Sequence, residues 1–338
     1  MLDNTSQLLL RHSVLQATTW LVNAQDNLGQ QHQLSSHFYY FDKYARFAQP
    51  KDTFAAELPT RSQPVVLYVP KEKPLFWMIL ANLAACLAAG VPLYLVGSNR
   101  GGIKSLVKAL PDAWQPALKV ASGNHCVLFQ TQRTDTPVSA FSLADYATDY
   151  PLAVPGAATP MHVANLPGVF SDQKLDQGTA VLLEYLATQQ RPKTLSRVLD
   201  FACGSGVIGG FIRAYFAPTE LIACDISAMA LHCAEHTLAS QALASSYQVL
   251  ASDGLTEVRG HFDWIISNPP FHAGQQTDYS IAEQFFEAAA KQLTRNGRLT
   301  IVANSFLGYN ERLERHFRTV NEVINTRKYK VIEAYDPY

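Results

Sequence analysis

The residues with the clearest chemical purpose lie between Ser267 and Gly274, in Ser-Asn-Pro-Pro-Phe-His-Ala-Gly. They follow an apolar run, Phe-Asp-Trp-Ile-Ile, that reads as a buried strand. Neither Pro269 nor Pro270 has an N–H for a β-ladder, and Asn268, preceding a proline, is held extended. The segment predicts a stiff shelf at a strand end, presenting an amide, two carbonyls without intrachain duties and the Phe271 ring. Such a shelf suits an exocyclic base amine, whose lone pair is delocalised into the ring. Two acceptors on its hydrogens, the Asn268 side-chain oxygen and the Pro269 carbonyl, pull the nitrogen toward sp³ and aim its lone pair at a methyl donor. No strong base is needed, because the proton can leave after transfer. Phe271 is placed to stack on a flipped base, its plainer use being ordinary core. His272 reads as readily as a solvent-facing histidine as it does as a substrate contact.

A second constellation stands upstream. Gly204, Gly206 and Gly209 form a GxGxxG between a strand and a helix, in Val-Leu-Asp-Phe-Ala-Cys-Gly-Ser-Gly-Val-Ile-Gly-Gly. That spacing fits a nicotinamide or flavin dinucleotide site, and it also fits an S-adenosylmethionine site. The neighbouring acids separate the two. Asp200, just before the glycines, can meet a ligand ammonium and would repel a pyrophosphate. Asp225, followed by Ile226, ends the next strand, where it can accept both ribose hydroxyls. Asp253, followed by Gly254, ends the third, at the edge expected for an adenine amino group. Each has a plainer reading: a turn cap for Asp200, a helix N-cap for Asp225, a turn residue for Asp253. Three aspartates at successive strand ends, with the proline shelf at the fourth, make the joint plain reading improbable.

Alternating strands and helices must position these residues, which predicts a doubly wound α/β sheet. Strands are expected over 197–202, 220–226, 246–253, 262–267, 297–304 and 329–335. Helices are expected over 207–216, 229–240, 280–293 and 309–320. Residues 142–162, rich in proline and glycine, read as a linker. The first half echoes the second: Leu-Tyr-Val-Pro-Lys-Glu-Lys-Pro stands where Ile-Ile-Ser-Asn-Pro-Pro-Phe-His stands, and Gly90-Val-Pro-Leu-Tyr-Leu-Val lines up with Gly297-Arg-Leu-Thr-Ile-Val-Ala. The echo suggests a duplicated domain whose first copy, without glycine loop or Asn-Pro-Pro, has lost its cofactor site. The expected division is residues 1–155, the degenerate copy, and 156–338, a catalytic domain.

Composition agrees. The chain has 338 residues, an apolar fraction of 48% and a formal charge of −1, so any nucleic-acid surface must be a local patch. Five scattered cysteines without CxxC spacing fit free thiols in a reducing cytoplasm. No signal peptide is read at the amino terminus. The longest apolar run, from Phe76, is interrupted by Asn82 and Gly90-Val91-Pro92, and reads as helix, turn and strand rather than a membrane span.

Asn165–Leu183 (Asn-Leu-Pro-Gly-Val-Phe-Ser-Asp-Gln-Lys-Leu-Asp-Gln-Gly-Thr-Ala-Val-Leu-Leu), the glycine loop and the Asn-Pro-Pro-Phe shelf together resemble the ribosomal RNA guanine-N2 methyltransferases. The resemblance covers nearly the whole chain, including Leu-Leu-Leu-Arg-His-Ser near the start and the Gly-Ser-Asn-Arg-Gly-Gly-Ile-Lys-Ser segment. It implies two tandem Rossmann-like class I methyltransferase domains, the first degenerate. It implies S-adenosyl-L-methionine as donor and a guanine N2 of 16S rRNA in the small ribosomal subunit as acceptor; a cytoplasmic location is read from the cysteines, and nothing in the residues requires more than a monomer. Carried over by motif are Asp200, Gly204, Gly206, Asp225, Asp253 and Asn268. Phe170, Ser171 and Asp176 match the segment expected to cover the methionine end of the cofactor. Phe201-Ala202 replaces the commoner Leu-Gly, with little effect expected.

The sister enzymes of the large ribosomal subunit and the glutamine-amide methyltransferases of release factors share Asn-Pro-Pro. The degenerate first half speaks against the latter, and Asp200 and the shelf speak against an oxidoreductase. A non-catalytic RNA-binding protein would not need the complete motif set. Three basic patches are candidate RNA contacts: Arg100, Lys104 and Lys108; Arg191, Lys193 and Arg197; and nine Lys/Arg against five acids in 291–338. The first half then serves as an RNA-positioning platform.

Overall fold

The computed structural model describes residues 2–60, 63–170, 174–241, 243–270 and 276–338, with side chains except at 276–278. It divides into two compact units, 1–147 and 148–338. The first contains β1 (Trp20–Val22), β2 (Ser35–Phe38), β3 (Thr53–Phe54), β4 (Val65–Tyr68), β5 (Pro92–Ser98), β6 (Leu118–Gly123) and β7 (Cys126–Gln132). The second opens on a two-stranded sheet of β8 (Thr148–Leu152) and β9 (Met161–Asn165). It continues with β10 (Arg197–Phe201), β11 (Glu220–Asp225), β12 (Ser246–Ala251), β13 (Phe262–Ser267), β14 (Leu293–Asn304), β15 (Phe317–Asn325) and β16 (Tyr329–Pro337).

The two large sheets have one topology. Their orders are β3-β2-β1-β4-β5-β7-β6 and β12-β11-β10-β13-β14-β16-β15, related strand for strand. In both, the last two strands run antiparallel to their neighbours and the others are parallel. The echo in the sequence is thus a shared fold: β4 with Val-Pro beyond it is the counterpart of β13 with Asn-Pro-Pro.

The first unit's counterpart of the ligand edge is filled by its own chain. Asp26, 4% exposed, accepts from the Asp3 N–H at 2.7 Å, the Ser6 hydroxyl at 3.0 Å and the Leu28 N–H at 3.0 Å. Tyr68, at the end of β4, donates its hydroxyl to Ser6 at 2.7 Å. The carboxylate that could meet a ligand is therefore spent on the start of helix Asn4–Arg11, whose N-cap is Asp3.

The second unit's parallel strands are apolar on both faces because both faces are covered. Leu199, Phe201, Ile265, Leu299 and Ile301 pack with Phe285 and Phe286 of helix Gln276–Gln292. Val198, Trp264, Ile266 and Val302 pack on the opposite face with Leu182, Leu186, Phe211 and Ile212 from helices Gln177–Thr188 and Val207–Phe216. Each such side chain contributes about 1.5–3 kcal/mol on burial. Both clusters fix the heights of the strand ends, which is where the chemistry lies.

Two expectations differ. The helix expected over 309–320 is only Tyr309–Leu313, and Phe317 already begins β15, paired antiparallel with β16 from Phe317↔Pro337 to Asn325↔Lys330. Thr319, Val320, Val323 and Ile324 are β-branched and favour the strand once a partner is beside them. The expected linker over 142–162 contains a short 3₁₀ turn at Leu143–Tyr146 and then β8, which pairs with β9 from Thr148↔Asn165 to Leu152↔Met161. The units accordingly part between Ala147 and Thr148, earlier than the 155/156 division read from the prolines. Among the described residues no helix is long and apolar enough to cross a membrane.

Candidate functional site

The parallel strands of the second unit end level with one another. Phe201 pairs with Cys224 on one side and Ser267 on the other, so Asp225 and Asn268 each stand one residue further, flanking the glycine loop. Ser267 donates its hydroxyl to the Phe201 carbonyl at 2.7 Å, tying the two central strand ends together.

The glycine loop is as tight as the sequence requires. Gly206 has φ +76 at the start of helix Val207–Phe216, and a Cβ there would stand 3.0 Å from the Ala234 Cα. The Gly204 N–H donates to Asp225 Oδ2 at 2.9 Å, so Asp225 shapes the loop as well as facing it. Ala202 takes φ +54 in place of the commoner glycine, which costs roughly 1–2 kcal/mol. The plainer role for Asp225 as N-cap falls to Ser227, whose hydroxyl accepts from the Ala230 N–H at 3.4 Å. Asp225 Oδ1 accepts from the Ser227 N–H at 2.9 Å. Burial raises the Asp225 carboxyl, against the lowering effect of the Ser227, Gly204 and Ile226 N–H groups. Asp253 and Gly254 lie exposed beyond β12.

Asp200 is more deeply placed than a ligand-facing acid was expected to be. It is 1% exposed, and its Oδ2 accepts from the Gly209 N–H at 2.7 Å. Its Oδ1 is buried without a hydrogen-bond partner among the described residues. Burial pushes its carboxyl up to about 8, the Gly209 N–H opposing and the Asp225 charge adding. A raised carboxyl keeps its proton in the folded state, so its contribution is full below the unfolded value of 3.8 and is lost as pH rises toward about 8. Wild type without ligand should therefore lose stability relative to Asp200→Asn as pH rises from 5 to 8. Equal slopes in denaturant titrations of the two would show that Asp200 is already ionised at the lower pH.

Asn268 is held through its side-chain amide. Its Nδ2 donates to Asp176 Oδ2 at 3.1 Å and to the Thr179 hydroxyl at 3.0 Å. A carboxylate only accepts, so the amide nitrogen must face it, which leaves Oδ1 facing away as an acceptor. Asp176 Oδ2 also accepts from the Thr179 N–H at 2.9 Å, capping helix Gln177–Thr188. Asp176, expected at the methionine end of a cofactor, is thus first a cap and the support of Asn268. Thr179 escaped sequence reading, although Asp-Gln-Gly-Thr carries the cap-to-N3 spacing that marks it. Pro269 is buried and Pro270 exposed, as a stiff shelf leaving the sheet requires. Phe170 is 59% exposed six residues before Asp176. Ser171, Phe271 and His272 lie outside the described residues.

The residues present fit S-adenosylmethionine. An orphaned, buried carboxyl oxygen of Asp200 suits a cationic ligand, and at Gly204 nothing stands within 4 Å of where a Cβ would be, which leaves the loop open to a ligand. The basic patch at Arg191, Lys193 and Arg197 is not brought to this edge. Arg197 begins β10 at the opposite end, pairs with Glu220 at 2.6 Å and stacks on Phe262, and Arg191 stacks on Tyr215.

Family models match both halves of the chain. The model for the methyltransferase small domain matches residues 160–333, and that for its N-terminal domain matches 6–150. A protein of Shewanella loihica named ribosomal RNA small subunit methyltransferase C is 39% identical over 280 residues, covering 82% of this chain and 79% of its own. The protein of that name from Pseudoalteromonas atlantica is 36% identical over 349 residues, covering 98% of both. The solved structure of the T. thermophilus 16S rRNA N2 methyltransferase, in complex with AdoMet and guanosine, matches with a TM-score of 0.83 at 22% identity, over 99% of this chain and 92% of that one. With both units matched and the strand-end residues in place, this chain belongs to the ribosomal RNA small subunit methyltransferase C family.

Proposed function

We propose that this protein transfers a methyl group from S-adenosyl-L-methionine to the exocyclic N2 amine of a guanine in 16S rRNA. The observation that carries the reading is the Asn268 amide, turned by Asp176 and Thr179 so that Oδ1 is the acceptor at the end of β13. When bound, S-adenosylmethionine supplies an electrophilic methyl group on a sulfonium. Gly204 and Gly206 let it approach the backbone. Asp200 Oδ1 holds its ammonium, directly or through water. Asp225, with Ile226 beside it, takes the ribose hydroxyls, and Asp253-Gly254 faces the adenine. Phe170 and Ser171 close over the methionine end.

The Asn268 Oδ1 and the Pro269 carbonyl accept the two N2 hydrogens and aim the lone pair, with Pro270 keeping the shelf rigid and Phe271 stacking on the guanine. The N2–methyl bond forms as the sulfur–methyl bond breaks, and one N2 proton then passes to solvent. Holding the two reactants in line supplies most of the acceleration. The small ribosomal subunit is the setting of the target, the cytoplasm the compartment and the monomer the working form. The unit 1–147, with its ligand edge filled, serves RNA positioning.

The test is transfer from labelled S-adenosylmethionine to unmodified small and large ribosomal subunits and their free RNAs. Label recovered as N2-methylguanine in small-subunit RNA is expected. Label in large-subunit RNA alone would make this a sister enzyme, and label in none would overturn the RNA reading.

A further inference from the structure

Of the nine Lys/Arg of 291–338, five have carboxylate partners among the described residues. Arg298 pairs with Glu333 at 3.5 Å and lies 3.6 Å from the Trp264 ring centre. Arg312 and Arg315 share Glu283, at 3.2 and 3.5 Å. Lys291 pairs with Glu287 at 2.6 Å, and the buried Lys330 with Glu322 at 3.5 Å. The other four are Arg295 and Arg318, at the end of the sheet opposite Ser267, and Arg327 and Lys328, at the same end as Ser267. Arg327 and Lys328 are both exposed at the β15–β16 turn, and neither has a carboxylate partner among the described residues. The Lys328 ammonium donates to Gln177 Oε1 at 2.7 Å and lies 5.1 Å from the Tyr329 ring centre, both neutral groups.

This turn is built into the catalytic edge. β14 continues to Asn304, past Ile301, which pairs with Ser267 at the end of β13. Ser305 then donates its N–H to the Lys328 carbonyl at 2.9 Å and its hydroxyl to the Thr326 carbonyl at 2.8 Å. The Tyr329 ring lies against Gly178, where a Cβ would stand 3.2 Å from it, two residues from the Asp176 that orients Asn268. Phe306 follows Ser305 and is 72% exposed. A phenylalanine so placed forgoes the burial that an apolar ring of its size ordinarily gains. Phe306 and Phe170 are the two exposed phenylalanines among the described residues.

We infer that Phe306, Arg327 and Lys328 form an RNA subsite that holds a nucleotide flanking the target guanine, its base on the ring and its phosphates on the two cations. The inference rests on the methyltransferase reading above. Extruding a guanine unstacks its neighbour, and an exposed aromatic ring replaces the lost stacking whatever the base. Two cations without carboxylate partners among the described residues, on the turn to which Ser305, the residue before Phe306, is hydrogen-bonded, match the backbone of the same strand.

The test uses the full chain with 16S rRNA. Phe306→Ala should raise KM about tenfold, within the range for losing one base–aromatic stack, with kcat and cofactor affinity unchanged. Phe306→Trp should restore KM, which a purely structural role would not allow. Joint Arg327→Ala and Lys328→Ala should flatten the slope of log affinity against log salt by about 1.4, at about 0.7 per phosphate contact on single-stranded RNA. Wild-type KM in Phe306→Ala together with a wild-type salt slope in the double variant overturns the subsite. If the wild type transfers no methyl group, the functional reading fails on its own. RNA affinity then decides the subsite, unchanged binding in Phe306→Ala overturning it and weakened binding supporting it.

Discussion

Asn268→Ala should leave a folded, cofactor-binding protein whose kcat is lowered about 10³-fold, at the upper end of what removing one preorganised transition-state partner costs. The acceptor is lost while its support survives, because Asp176 Oδ2 keeps the Thr179 N–H and helix Gln177–Thr188 keeps its cap. The loss should therefore fall on the transfer step, with cofactor affinity within a few-fold of wild type. Asn268→Asp should be no better despite its shape. Its carboxylate would face that of Asp176 across the gap now spanned by a 3.1 Å hydrogen bond. Single-turnover transfer with saturating cofactor, alongside a cofactor titration, measures both. A variant with near-wild-type turnover would remove the Asn268 oxygen from the mechanism.

Asp176→Ala should lower kcat by about 10- to 100-fold, because a 1 Å misplacement of a reacting group costs on the order of 10²-fold. It removes two things at once. The helix loses its cap, costing about 1 kcal/mol and a drop of about 2–4 °C in Tm. The Asn268 amide also loses the carboxylate that fixes its orientation. Asp176→Asn separates these effects, since one amide oxygen can accept from both the Thr179 N–H and the Asn268 Nδ2. It should recover Tm and most of the turnover. Thr179→Val should be intermediate, removing one acceptor from Nδ2. If Asp176→Ala instead weakens cofactor binding at unchanged kcat, Asp176 acts at the methionine end, as its place in the sequence first implied.

Much of this was legible in the residues because it depends on strand ends. A strand of apolar residues followed by Asp, Asn-Pro-Pro or Gly-x-Gly announces where it stops, and parallel strands of one sheet stop on one edge. The four successive ends from Asp200 to Asn268 are thus legible in the residues alone. The counterpart alignment of Gly90 with Gly297, and of Val-Pro with Asn-Pro-Pro, followed from the same punctuation and proved to be one strand order used twice. The helix read over 309–320 failed because a strand at a sheet margin is decided by its partner. Without β16, Phe317–Asn325 carries a pattern that suits either form.

What the sequence by itself determined was the local chemistry: glycines where no Cβ fits, prolines where no N–H may be used, aspartates where strands end. These are properties of a few consecutive residues and are set by sterics and donor count. Tertiary structure alone decided how those groups are held. Asp176 and Thr179 lie 92 and 89 positions from Asn268, yet together they fix which way its amide points. It also decided that Asp200 is buried with one oxygen unpartnered, and that Arg197 faces the wrong end of the sheet while Arg327 and Lys328 reach the right one. Charge, burial and hydrogen-bond direction depend on neighbours brought from distant parts of the chain, and only the packed sheet brings them.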